Sequence, residues 1–172
     1  KPDRAKLAAA GVRIGALGLF IPALLRPEAA RWRLALWAVA QGLEAAPPPP
    51  RGRLLFERDG PWPAGWIETA GFWRAGPVAV RLDLAEQIAR GLHAQRSGRE
   101  PFVPGPGLRA RLGAPPEAFA QVLRALGYRP APAAGDDAVA WSGAVPERRV
   151  QPPRGAPHSP FNILSTIAGG AA

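Results

Sequence analysis

Arginine carries most of the chemistry open to this 172-residue sequence. Lys and Arg total 22, and Lys1 and Lys6 are the lysines, which leaves 20 arginines. A guanidinium is a planar fork that bonds phosphate bidentately and stacks on a base, which a lysine ammonium does not do. Set against 13 acidic residues, the excess is +9. That sign points to an anionic partner, with RNA or DNA first among the candidates. Composition offers a second origin for it. Ala, Arg, Gly and Pro are all abundant, as in products of GC-rich genomes, where Arg displaces Lys whatever the function.

Other reactive groups are sparse. A phosphate-binding loop needs glycines followed by Lys and then Ser or Thr, and no lysine follows Lys6. Gly15-Ala16-Leu17-Gly18 and Gly105-Pro106-Gly107 therefore read as turns. The histidines, His93 and His158, are far apart in the chain and read as surface residues rather than ligands. Asp136-Asp137 reads as turn chemistry. Ser159 beside His158 is no triad, because sequence neighbours rarely face each other productively. With no Cys there is no disulfide framework or thiolate metal site, which fits a reducing cytoplasm. No cofactor, metal site or catalytic motif is expected in the segment. The chain begins at Lys1 without Met, as a fragment or trimmed product would.

The elements that must position the arginines follow from periodicity. Pro and Gly together make 42 of 172 residues (20 Gly, 22 Pro), so packed pieces joined by Pro-rich connectors are expected. The apolar run Ile14 to Leu25 is shorter than the roughly 20 residues a membrane span needs. It reads as a buried core segment, and no membrane partner is expected. A helix starts at Pro27 with Glu28 beside its positive end. Its Trp32, Leu36, Val39 and Leu43 recur on one apolar face, and the prolines from Pro47 to Pro50 form a stiff spacer. Residues 1–45 are thus a helical segment. Residues 46–76 are a Pro- and aromatic-rich connector with a short strand at Leu54-Leu55-Phe56. Its Trp62, Trp66, Phe72 and Trp73 form either a base-stacking platform or, the favoured reading, a small aromatic core.

Residues 77–142 are the most informative. Val80, Leu84, Ile88 and Leu92 lie on one helical face, with Arg81, Asp83, Glu86 and Arg90 off it. Phe102-Val103 suits a short strand, and Leu108 to Leu112 a short helix closed by Gly113. Pro115-Pro116-Glu117 opens a helix striped by Phe119, Val122, Leu123 and Leu126 and capped at Gly127. Tyr128-Arg129 and Ala138 to Trp141 read as a hairpin. Helix, strand, helix, helix, hairpin is the order of a winged helix, whose second paired helix enters the major groove. The expected fold is mainly α with small β. A helical segment and a winged-helix-like module are joined by Pro-rich connectors, followed by a tail at 143–172 with a short C-terminal helix. The expected nucleic-acid contacts are Arg81, Arg109, Arg111, Gln121, Arg124 and Arg129. Phe161, Ile163 and Leu164 in the tail are the expected partner-docking patch.

Several stretches together resemble a known family. These are Gly11-Val12-Arg13-Ile14-Gly15, Phe20-Ile21-Pro22-Ala23-Leu24-Leu25-Arg26-Pro27-Glu28, Ala70-Gly71-Phe72, Gly76-Pro77-Val78-Ala79-Val80-Arg81-Leu82-Asp83, Val122-Leu123-Arg124-Ala125-Leu126-Gly127-Tyr128-Arg129 and Ser159-Pro160-Phe161. In that order they resemble the C-terminal region of alphaproteobacterial superfamily II helicases related to the mitochondrial degradosome RNA helicase. The resemblance implies a parent ATP hydrolase whose motor domains precede Lys1 in the same chain. ATP and Mg2+ would belong to that motor, and no catalytic residue carries over. It implies a non-catalytic accessory region that grips RNA or DNA. The alternative is a protein-docking module that recruits a partner such as a nuclease.

Overall fold

The computed structural model describes residues 2–50, 52–96, 98, 100–132 and 139–143. Among these, α-helix outweighs short strands, so the chain is mainly α with small β. Helix α1 (Pro2–Ala9) leads into a hairpin of β1 (Arg13–Ile14) and β2 (Leu19–Phe20), with Arg13 opposite Phe20. A 3-10 turn at Pro22–Leu25 precedes α2 (Pro27–Ala40). Then come β3 (Leu55–Glu57), α3 (Trp66–Thr69), β4 (Phe72–Ala75), β5 (Val78–Arg81) and α4 (Leu82–Gln95). The described chain ends with α5 (Pro106–Leu112), α6 (Pro116–Ala125), β6 (Arg129–Ala131) and β7 (Ala140–Ser142).

The organising element is an antiparallel sheet in the order β3-β5-β4. Gly76, at φ 64, and Pro77 make the two-residue turn between β4 and β5, where a glycine at the first position suits hairpin geometry. Side chains alternate across a strand, and β5 is buried along both faces. Val78 and Val80 join the core built with α4, α5 and α6, which includes Ile88, Leu92, Val122 and Leu123. Ala79, in register with Phe56 and Arg74, turns the other way into a second core with Phe56, Phe72, Leu34, Trp66 and Ile67. The sheet is therefore the middle layer between α2/α3 and α4/α5/α6.

That layer corrects the expected boundary. The line at 76/77 falls inside the β4–β5 turn, and residues 46–76 contribute two strands, a helix and an aromatic core. The aromatics pack against one another: Trp62 stacks on Trp66 at 4.2 Å, and Phe56 meets Trp62, Trp66 and Phe72 edge-on. Trp66 Nε1 donates to the Pro47 carbonyl at 2.8 Å, so the start of the proline run is pinned to this core.

Two further expectations are overturned in the first 45 residues. The segment Ile14 to Leu25 is a surface hairpin and turn, with Ile14, Leu19 and Leu24 exposed. In α2 the expected apolar stripe points outward: Trp32 is 73%, Leu36 69% and Val39 78% exposed. The buried face is Ala30, Leu34 and Ala38. Apolar residues circle this helix, so periodicity alone selects no face. Small alanines let α2 approach α3 closely, and the bulkier side chains are left outside.

In α4 the helix begins at Leu82, so Val80 belongs to β5 rather than to the helical stripe. Leu84, Ile88 and Leu92 are buried as expected. Glu86 is buried too, at 2% exposure, although its charge argued for the surface. Its carboxylate accepts the N–H groups of Ala16 (2.8 Å), Leu17 (2.7 Å) and Gly18 (3.2 Å). The Gly15–Gly18 turn closes through Gly15 N–H to the Gly18 carbonyl, which aims these three amides at one anion. A carboxylate holding several backbone donors is a satisfied buried charge. It locks the β1–β2 hairpin onto α4.

Candidate nucleic-acid interface

Helices α5 and α6 are short and owe their positions to their ends. Prolines open both, where a missing N–H costs nothing. The α6 C-terminus closes with Gly127 N–H on the Arg124 carbonyl and Tyr128 N–H on the Leu123 carbonyl, both 2.9 Å. This is a Schellman cap, and Gly127 takes the left-handed conformation it needs, φ 86. Phe119, Val122 and Leu123 anchor α6 in the core, while Glu117 and Arg124 stay exposed.

Strands β6 and β7 pair antiparallel, Arg129 opposite Ser142 and Pro130 opposite Trp141. Phe102 adds a third position, exchanging N–H···O bonds of 3.0 and 2.8 Å with Trp141. Trp141 thus ties the segment between α4 and α5 to the hairpin after α6. An apolar groove of about 540 Å³ runs beside it, lined by Val103, Pro104, Phe119 and Trp141 with Arg109. The Arg124 guanidinium sits 5.9 Å from the centre of the Trp141 ring, within cation–π range.

The six expected contact residues separate on this frame. Arg109 and Arg124 gather around Trp141. Arg129 is exposed on β6, one register position from Trp141's partner, and its carbonyl accepts the Ser142 hydroxyl at 3.2 Å. Arg111 is exposed on α5, two residues from Arg109 and so turned well away around the helix. Gln121 is half-buried, with its Oε1 beside Gly76 in the β4–β5 turn. Arg81 is bound bidentately by Asp83, at 2.6 and 2.9 Å, at the start of α4. Phe161, Ile163, Leu164 and the pair Asp136-Asp137 lie outside the described residues.

Sequence reasoning missed a second basic surface. Arg90, His93 and Arg96 follow at intervals of three along the end of α4, and Arg4 of α1 lines the same cleft. The spacing within α4 is visible in the sequence. Arg4 joins the set only through the hairpin that Glu86 holds. Tyr128 borders this cleft and is 6% exposed. Burial holds its phenol above the ordinary range, and the positive charge of Arg96 works against that shift. The unfolded chain therefore ionises first, and this contribution to stability is lost as pH rises past the ordinary value of about 10. Tyr128 is the sole tyrosine, so its ultraviolet tyrosinate band reports one site. That band should rise at higher pH in the folded chain than in urea, and Tyr128→Phe should reduce alkaline destabilisation. Coincident titrations would contradict the account.

Arg33 on α2 is the electrostatic oddity. Its Nε and Nη2 are enclosed without a protein acceptor, and burial lowers its pKa. Glu68 lines the same cleft but is paired with Arg74. Among the described residues, no three His, Cys, Asp or Glu side chains form a metal-sized group. No described helix is long and apolar enough to cross a membrane. No known family, curated protein or solved structure matches the chain.

Proposed function

We propose that this chain is a non-catalytic accessory region that contacts nucleic acid on behalf of an ATP-dependent helicase. The observation that carries the reading is the Phe102–Trp141 pair. It joins the segment after α4 to the hairpin after α6, which supports reading residues 77–142 as winged-helix-like. In such a module α6 would approach the major groove and the hairpin the phosphate backbone. Arg109, Arg124 and Arg129 around Trp141 would bond phosphates, which gives affinity without sequence information. The helicase assignment rests on the ordered resemblances along the chain. The motor, with its ATP and Mg2+, would lie elsewhere in the same polypeptide.

Binding of the chain to a labelled duplex should fall steeply as salt rises. Arg109→Glu, Arg124→Glu and Arg129→Glu together should weaken it by about a hundredfold, each reversed charge costing on the order of 1 kcal/mol. Reversing Arg31, exposed on α2 across the sheet from α6, should change it by less than about threefold. Absence of binding by folded chain at low salt would sink the reading.

A second reading is favoured by one observation, the outward stripe of Trp32, Leu36 and Val39 on α2. Exposed contiguous apolar side chains mark contact surfaces. On this reading the region docks a protein, such as a nuclease. Retention of that partner by Trp32→Glu with Leu36→Glu would count against it.

A further inference from the structure

The cleft between α1, the β1–β2 turn and the end of α4 has a volume of about 1000 Å³. Its cations come from two distant parts of the chain, Arg4 on one side and Arg90, His93 and Arg96 on the other. A basic last turn on α4 would by itself complement the helix dipole. That role gives no reason for Arg4 to line the same space. Glu86 is the acid among the residues that line the cleft, and both of its oxygens already accept loop amides. Arg4 and Arg90 therefore border the cleft beside a carboxylate whose oxygens are already taken, while Arg96 Nε donates to the Gly98 carbonyl at 2.8 Å.

We propose that this cleft holds the phosphodiester backbone of a single-stranded nucleic acid. The proposal rests on the nucleic-acid reading above but uses a different surface. A cleft of this volume matches a few nucleotides of one strand. Its aromatic neighbour Tyr128 is buried, so it offers no open ring for base stacking. Recognition is then of charge and backbone, with no sequence preference. The cleft and the Trp141 face would grip different nucleic-acid forms, one strand in the cleft and duplex at α6.

The test uses the full chain with a labelled oligouridylate, an oligothymidylate and a short duplex, read by fluorescence anisotropy over a salt series. Arg4→Glu with Arg90→Glu should weaken both single strands by about tenfold or more. It should also lower the salt slope by about 1.4, two phosphate contacts at about 0.7 each, and leave duplex binding within about twofold. Arg109→Glu with Arg124→Glu should do the reverse. Both cleft residues are exposed, and circular dichroism checks folding. Arg4→Ala with Arg90→Ala should give a smaller loss in the same direction if the reversed pair fails to fold. Single-strand binding that survives the cleft changes but is lost with Arg109 and Arg124 overturns the cleft proposal and leaves the interface reading standing. No binding of any nucleic acid by the unmodified chain overturns both. Equal competition by polyglutamate overturns the phosphodiester assignment.

Discussion

Glu86→Ala should lower the folding stability of this chain by about 4 kcal/mol, since three backbone amides lose their acceptor, at about 1–3 kcal/mol each when left unsatisfied. The carboxylate is 2% exposed and holds three backbone amides. Alanine deletes the acceptor and leaves a void where the carboxylate stood. The amides of Ala16, Leu17 and Gly18 then regain partners only if water enters or the hairpin lifts off α4. Glu86→Gln should cost about half as much. Its carbonyl oxygen still serves the two amides that share Oε1, but an NH2 group now faces the Ala16 N–H. Gly15→Ala should loosen the same joint from the other side, because a Cβ there overlaps the Glu86 carboxylate. Urea unfolding supplies the free energies, and hydrogen exchange at residues 16–18 locates the loss. A cost below about 1 kcal/mol for Glu86→Ala, with these amides still protected, would show that the hairpin is held by something else.

Trp66→Ala should be comparably severe, costing about 4 kcal/mol, as is usual for an enclosed aromatic ring cut to alanine. The ring is fully buried, stacks on Trp62 and meets Phe56 edge-on. It also fixes the Pro47 carbonyl through Nε1. Trp66→Phe separates packing from hydrogen bonding. It keeps much of the ring contact but strands the Pro47 carbonyl, and should cost about 1–2 kcal/mol beyond the lost ring volume. Thermal unfolding measures both variants. If Trp66→Phe were as costly as Trp66→Ala, the bond to Pro47 would outweigh the packing.

Part of this architecture is legible in the residues because local signals agree. In α6 the proline start, the stripe of Phe119, Val122 and Leu123 and the Gly127 stop all favour one helix, and the helix forms there. The short strand expected at Phe102-Val103 is a single bridge, from Phe102 to Trp141. In α2 the signals conflict. Trp32, Leu36 and Val39 make the more apolar face, yet packing selects the thinner one of Ala30, Leu34 and Ala38. At Val80 a spacing of four continues through a change from strand to helix, so period alone does not find the junction. Glu86 is hidden for a different reason. Its burial depends on three amides 68 to 70 residues earlier, and no local pattern connects a glutamate with a turn at that separation. The basic cleft inherits this, since Arg4 joins Arg90 and His93 only after that contact forms.

Strand β5 bonds to a neighbour on each edge and sends alternate side chains into two cores. The two helical layers are therefore not modules that recombination could exchange one at a time. An interruption within Val78 to Arg81 would unpair two neighbouring strands and uncover an apolar sheet face on each side. Changes in length are tolerable at the connections and not within this strand. The region that links the aromatic core to the arginine-bearing helices must descend as a single heritable unit.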